Sequence, residues 1–172
     1  MRITSGTHRG RRLDGKLPEG VRPTSSRTRE ALFSRLGQDL TGRTVLDVFG
    51  GSGLLSFEAL SRGASQVVIC EQNRAALAFI RHNVARLDFG QRVSIRTGRV
   101  PGSLPKGRFD VVLADPPYDK DLTNMAKALV GRVAGDLVLE HRTGAELAEF
   151  PGLEHIGSKK YGSSTLSFYR PS

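Results

Sequence analysis

Thr44-Val45-Leu46-Asp47-Val48-Phe49-Gly50-Gly51-Ser52-Gly53 reads as a buried strand that ends on a carboxylate and turns sharply through glycines. A helical pattern follows at once, with Leu54, Phe57 and Leu60 on one face and Gly63 as its stop. Strand, glycine turn and helix in this order form the first unit of a doubly wound sheet. Downstream, short apolar runs recur at 66–71, 92–96, 109–114, 137–140 and 165–169, the last alternating as an antiparallel strand does. Between them lie helical stripes: Leu77, Ile80, Val84 and Leu87 within 73–87, and Leu122, Met125, Leu129 and Val133 within 120–133. The alternation predicts an α/β fold with a mainly parallel, doubly wound sheet.

The 172 residues suffice for one core and a small appendage. The division falls near residue 43, giving a basic extension over 1–43 and a sheet domain over 44–172. The extension holds ten Lys or Arg against four Asp or Glu, and the body sixteen against thirteen. A basic arm on a nearly balanced body points to a polyanionic partner, and its arginine-rich character suits bidentate phosphate contacts. Within the arm, 2–5 and 11–13 suggest a small hairpin. Residues 25–36 read as a helix with Ala31, Leu32 and Leu36 inward and Arg27, Arg29 and Arg35 outward. Cys70, the single cysteine, sits among Val67, Val68 and Ile69 and reads as a buried strand thiol. The four histidines have no metal-ligand spacing, so no metal is expected. No apolar run has the length of a membrane span, and Met1-Arg2-Ile3-Thr4 does not begin a signal peptide. The expectation is a cytoplasmic monomer.

Rule by rule, the glycine turn fits one ligand class better than another. A dinucleotide loop needs a third glycine where this chain has Ser56, so the fingerprint fails at its last position. An acidic residue ahead of the glycines suits a cation better than a pyrophosphate. S-adenosylmethionine, with its ammonium and sulfonium, is such a ligand. Asp47, Gly50, Gly51 and Gly53, with Phe49 between them, form the candidate cofactor loop, and Glu71 with Gln72 ends the next strand where a ribose diol would be held.

Asp115-Pro116-Pro117-Tyr118 closes the run 109–114 and carries the second half of the chemistry. Two prolines end the ladder and fix a rigid, extended corner. An exocyclic purine amine is a poor nucleophile because its lone pair is delocalised into the ring. The Asp115 carboxylate and the Pro116 carbonyl would accept the amine's hydrogens and favour its pyramidal form. Tyr118 would stack the base, and Pro117 holds the corner. Placing two bound reactants in line supplies much of the acceleration in such a displacement.

At this point whole segments resemble a known family. Arg2-Ile3, Arg9-Gly10-Arg11-Arg12-Leu13, Arg22-Pro23-Thr24, Arg29-Glu30-Ala31-Leu32-Phe33, Glu58-Ala59-Leu60-Ser61-Arg62-Gly63 and Tyr161-Gly162, with the two motifs above, are similar to the RsmD family. That family modifies a guanine amino group in 16S ribosomal RNA. The resemblance implies a seven-stranded class I methyltransferase fold, S-adenosylmethionine as donor, and the basic extension as an RNA contact. Gly50 stands where the family usually has alanine, and Arg99 where many methyltransferases carry an adenine acceptor, leaving that part to backbone atoms at Val100. Arg9, Arg11, Arg12, Arg22, Arg27, Arg29, Lys159 and Lys160 are the expected phosphate contacts. The expected partner is ribosomal RNA or the small ribosomal subunit. Two alternatives are a DNA amino-methyltransferase and a catalytically silent RNA-binding assembly factor.

Overall fold

The structure, a computed structural model, describes residues 1–117 and 122–172. Among the described residues, four α-helices, α1 (Ser26–Leu36), α2 (Leu54–Ser61), α3 (Arg74–Arg86) and α4 (Leu122–Val130), and a short 3-10 turn (Gly90–Arg92) accompany seven strands. The strands are β1 (Thr44–Asp47), β2 (Gln66–Glu71), β3 (Val93–Thr97), β4 (Phe109–Ala114), β5 (Val133–Arg142), β6 (Leu153–Tyr161) and β7 (Ser164–Pro171). They form one sheet in the order β3-β2-β1-β4-β5-β7-β6. Strands β1 to β5 run parallel, and β7 pairs antiparallel with both β5 and β6. Strand order reverses between β1 and β4, which sets a ligand crevice at their carboxyl ends.

Both faces of the central strands are buried, as apolar runs rather than alternating ones require. Val45, Val67, Val111 and Leu113 pack into one cluster, while Leu46, Val112, Ala114 and Leu139 pack into a second on the opposite face. Side chains cap the starts of α1 and α3: Ser25 accepts from the Thr28 N–H at 3.1 Å and Asn73 from that of Ala76 at 3.0 Å. Among the described residues, no helix is long and apolar enough to cross a membrane.

The first 43 residues are clipped tightly to the body. Ile3, Leu13, Leu32, Phe33, Leu36 and Leu40 join the cluster that contains Phe57, Leu60 and Phe168. The Arg2–Arg12 bridge closes the expected hairpin. The Thr7 N–H donates to the Ser61 carbonyl at 2.8 Å, the Asp14 N–H to Asn83 Oδ1 at 2.8 Å, and Arg86 Nη1 to the Arg12 carbonyl at 2.7 Å.

Two elements depart from the reading of the residues. β6 lies outside the apolar runs and supplies the seventh strand that the family resemblance implies, and Arg29 of α1 points inward rather than outward. Arg29 is 3% exposed, and its Nε donates to Glu58 Oε2 at 3.1 Å. It therefore cannot serve as the phosphate contact expected of it, because its guanidinium is occupied by Glu58 and the Thr24 and Arg2 carbonyls.

Candidate active site

Three parallel strands deliver carboxylates to one end of the sheet: β1 ends at Asp47, β2 at Glu71, and β4 one residue before Asp115. Their carboxyl ends open on a cleft of about 710 Å³. Phe49, Gly51, Glu71, Val100, Asp115 and Pro116 line it, together with Gln72 and Pro117. Tyr118 lies outside the described residues. The two motifs, 68 positions apart in sequence from Asp47 to Asp115, thus meet in one crevice.

The turn after β1 is built to bring backbone to the ligand. Gly50 passes so close to β2 that a Cβ would lie 2.4 Å from Ile69 Cγ2. Its N–H donates to the Cys70 carbonyl at 2.9 Å. Gly53 adopts φ 75°, a left-handed conformation, and a Cβ there would meet the Phe57 ring at 2.9 Å. Both glycines are buried behind the cleft wall rather than in it. Asp47 is behind it too, 3% exposed, accepting from Ser56 Oγ at 2.6 Å. Burial pushes its carboxyl up to about 6, helped by the charge of Glu71 and opposed by the hydrogen bonds from Ser56 and the Phe49 backbone. Asp47 is a structural anchor of the loop; Gly51 and Glu71 are what face the cleft.

Glu71 is held in place by the backbone. Its Oε2 accepts from the Gly51 N–H at 2.8 Å, and its Oε1 from the N–H groups of Gln72 at 2.7 Å and Asn73 at 2.8 Å. Carboxylate oxygens keep further lone pairs, so the fixed group can still accept from hydroxyls of a ligand. On the far wall Val100 lines the cleft, whereas Arg99 is exposed and takes no part in it.

At Asp115 the environment is strongly acidic. Burial, then the charge of Glu140, then that of Asp47 raise its carboxyl to about 7. Glu140 lines the same cleft at the end region of β5, and burial raises its carboxyl as well, against a hydrogen bond from Ser164 and the nearby His141. Sequence reasoning did not single out Glu140, although its apolar run 137–140 ends on a carboxylate as β2 does. A cleft lined by Glu71, Asp115 and Glu140 fits a cationic ligand and repels a pyrophosphate. Among the described residues, no group of three or more His, Cys, Asp or Glu is arranged to hold a metal ion.

The basic residues divide by position. Arg22 lines the cleft. Arg27, Lys159 and Lys160 line a second groove of about 550 Å³, and Tyr161 borders both. Lys159 Nζ lies 5.8 Å from the centre of the Tyr161 ring. Arg9, Arg11 and Arg12 are exposed elsewhere. Their loop is tied to the Ser61 carbonyl, and His8 Nε2 to the Leu87 carbonyl, at the ends of α2 and α3 remote from the glycine turn.

The comparisons agree with this architecture. The family model "Conserved hypothetical protein 95" matches residues 1–170. Ribosomal RNA small subunit methyltransferase D of Escherichia coli K12 is 36% identical over 123 residues, covering 71% of this chain and 62% of that protein. The Haemophilus influenzae protein of the same name is 35% identical over 137 residues, covering 76% of this chain and 70% of its own. Among solved structures, YhhF of Escherichia coli superposes with a TM-score of 0.88 at 29% identity, over 100% of this chain and 98% of that one. The seven-stranded, mostly parallel sheet is the class I, Rossmann-like arrangement of these structural relatives. Matched almost end to end by one family model, this chain belongs to the Conserved hypothetical protein 95 family, the RsmD family of methyltransferases.

Proposed function

We propose that this protein is an S-adenosylmethionine-dependent enzyme that methylates the exocyclic amine of a guanine in small-subunit ribosomal RNA, working in the cytoplasm. The single observation that carries the reading is the shared cleft: Asp115 and Pro116 line the same crevice as Gly51 and Glu71. The names of its relatives supply the substrate class, small-subunit ribosomal RNA.

Bound S-adenosylmethionine supplies an electrophilic methyl group on a sulfonium. Glu71, pre-oriented by three backbone N–H groups, would hold its ribose hydroxyls. Gly51, Phe49, Gln72 and Val100 would form the surrounding wall. Opposite them, Asp115 and the Pro116 carbonyl would accept the hydrogens of the amine and turn its lone pair away from the ring. The methyl–sulfur bond would break with its electron pair left on a neutral thioether as the N–C bond forms, and the amine hydrogen, then acidic, would pass to Asp115, whose raised affinity for protons suits that task. Arg22 at the cleft, and Arg27, Lys159 and Lys160 in the adjoining groove, would hold phosphates while the target base leaves its stack.

Labelled-methyl transfer tests the reading. Naked 16S ribosomal RNA, assembled small subunits and DNA are offered in parallel, and the modified nucleoside is identified by mass. Label on a guanine amine of the ribosomal RNA is the expected outcome; label on DNA alone, or none, removes it.

A further inference from the structure

Glu140 faces the candidate active site from the strand next to the one that carries Asp115. β4 and β5 are parallel with Ala114 opposite Leu139, so Asp115 and Glu140 follow side by side from neighbouring strands. Adjacent strands are about 4.8 Å apart, and register partners project to the same face. The earlier pairs obey this: Leu113 and Val138 share one core cluster, Ala114 and Leu139 the other. Both carboxylates line the cleft, close enough for the charge of Glu140 to act on Asp115. Ser164 of β7, also in the cleft wall, sits beside Glu140 and favours its charged form. Among the described residues, no basic side chain forms an ion pair with Glu140. A half-buried carboxylate without a cation partner is costly to keep, which points to a donor brought by the substrate.

Guanine offers two donors on one edge, the exocyclic amine and the adjacent ring N1–H. Adenine presents a lone pair at N1 instead. A guanine whose amine meets Asp115 carries its N1–H one position along the same edge, where a second acceptor is needed. We propose that Glu140 accepts the N1–H of the target guanine, so that Asp115 and Glu140 together read its edge and exclude purines lacking that proton. The inference rests on the guanine reading above and adds the residue that selects the base. Sites that hydrogen-bond a substrate proton reject analogues without it, because the buried acceptor is left unpaired.

The test pairs a change in the protein with a change in the base. Mass mapping first identifies the methylated guanine. Small subunits are then assembled with 16S ribosomal RNA carrying either guanosine or 2-aminopurine at that position. The latter keeps the amine and lacks the N1–H. Wild-type protein should prefer guanosine by roughly 30-fold to 100-fold in kcat/KM, the range of one charge-assisted hydrogen bond. Glu140→Ala should reduce that preference below about threefold, through loss of the guanosine rate alone. Glu140→Gln, whose amide can donate to a bare N1, should also narrow it and serves if the alanine variant does not fold. A preference unchanged in the folded variants would overturn the role of Glu140 and leave the methyltransferase reading standing. Wild-type protein that modifies no guanine of the ribosomal RNA would overturn both.

Discussion

Arg29 Nε donates to Glu58 Oε2 at 3.1 Å with side-chain exposures of 3% and 0%, joining α1 of the basic extension to α2 of the sheet domain. Glu58 also takes Arg62 at 3.1 Å and the Thr4 and Ser5 N–H groups, so its charge is fully matched. Removing Arg29 leaves Glu58 paired with Arg62 but takes the donor from Glu58 Oε2 and from the Thr24 and Arg2 carbonyls and empties a buried site, at a cost of about 2–4 kcal/mol. Arg29→Ala should lower stability by that amount in urea denaturation, while exposed Arg27→Ala should stay within about 0.5 kcal/mol of the parent. An Arg29 variant of full stability that had lost only RNA affinity would restore a phosphate role.

Arg27, Lys159 and Lys160 should govern the salt dependence of RNA binding. Each replaced by alanine should reduce the slope of log affinity against log salt by about 0.7–0.9 in filter binding. The groove they share opens beside Tyr161 onto the cleft, whereas Arg9, Arg11 and Arg12 are tied to the far ends of α2 and α3. Replacing the remote trio should therefore change the affinity for a short RNA containing only the target less than replacing the groove trio does.

For Asp115→Asn the expected loss in kcat is about 10²-fold to 10⁴-fold, the usual contribution of a positioned proton acceptor. Donor binding by calorimetry should remain within about threefold. The parent's rate should rise with pH through about 7, because burial and Glu140 hold the Asp115 proton up to that point. Glu140→Gln removes a neighbouring negative charge and should move the midpoint downward. A midpoint that stayed in place would show that the titrating group is not Asp115.

Asp47 should give stability a pH dependence of its own. Its carboxyl is raised from 3.8 to about 6 in the fold, so between those values the folded chain binds more protons than the unfolded one. Stability therefore declines as pH rises through that window, by about 3 kcal/mol for a shift of two units. Asp47→Asn, which keeps an oxygen to accept from Ser56, should flatten the decline in urea titrations at pH 4.5 and pH 7. An equally steep decline in the variant would assign it elsewhere.

Gly50→Ala should be destabilising, about 1–3 kcal/mol in the same assay, because the added methyl meets Ile69 Cγ2 at 2.4 Å. Alanine is nonetheless the residue that the family resemblance places at this position. In this chain the β-branched Ile69 fills that space, so compensation at position 69 is what an alanine would need.

Legibility followed the strength of the local pattern. β2 and β4, buried on both faces, were bounded at 66–71 and 109–114 from their apolar runs alone. β6 escaped because it is an edge strand: Glu154, His155, Ser158, Lys159 and Lys160 are exposed, and a bulge lies between His155 and Gly157. Charged, irregular edges discourage pairing with other chains and erase the alternation by which strands are recognised. β5 reaches to Arg142, past the run ending at Glu140, because pairing with β7 continues to Ser164.

The chain's order of strand, glycine turn, helix and proline corner was enough to determine a doubly wound sheet and the two loops that form its crevice, because periodicity and backbone restriction are local properties. Which carboxylates face that crevice was decided only in three dimensions. Asp47 withdrew behind the turn to accept from Ser56, Arg29 turned inward to meet Glu58, and Glu140 arrived beside Asp115 through strand pairing. Each of these depends on a partner distant in sequence, and charge alone does not say whether a residue faces water or a buried partner.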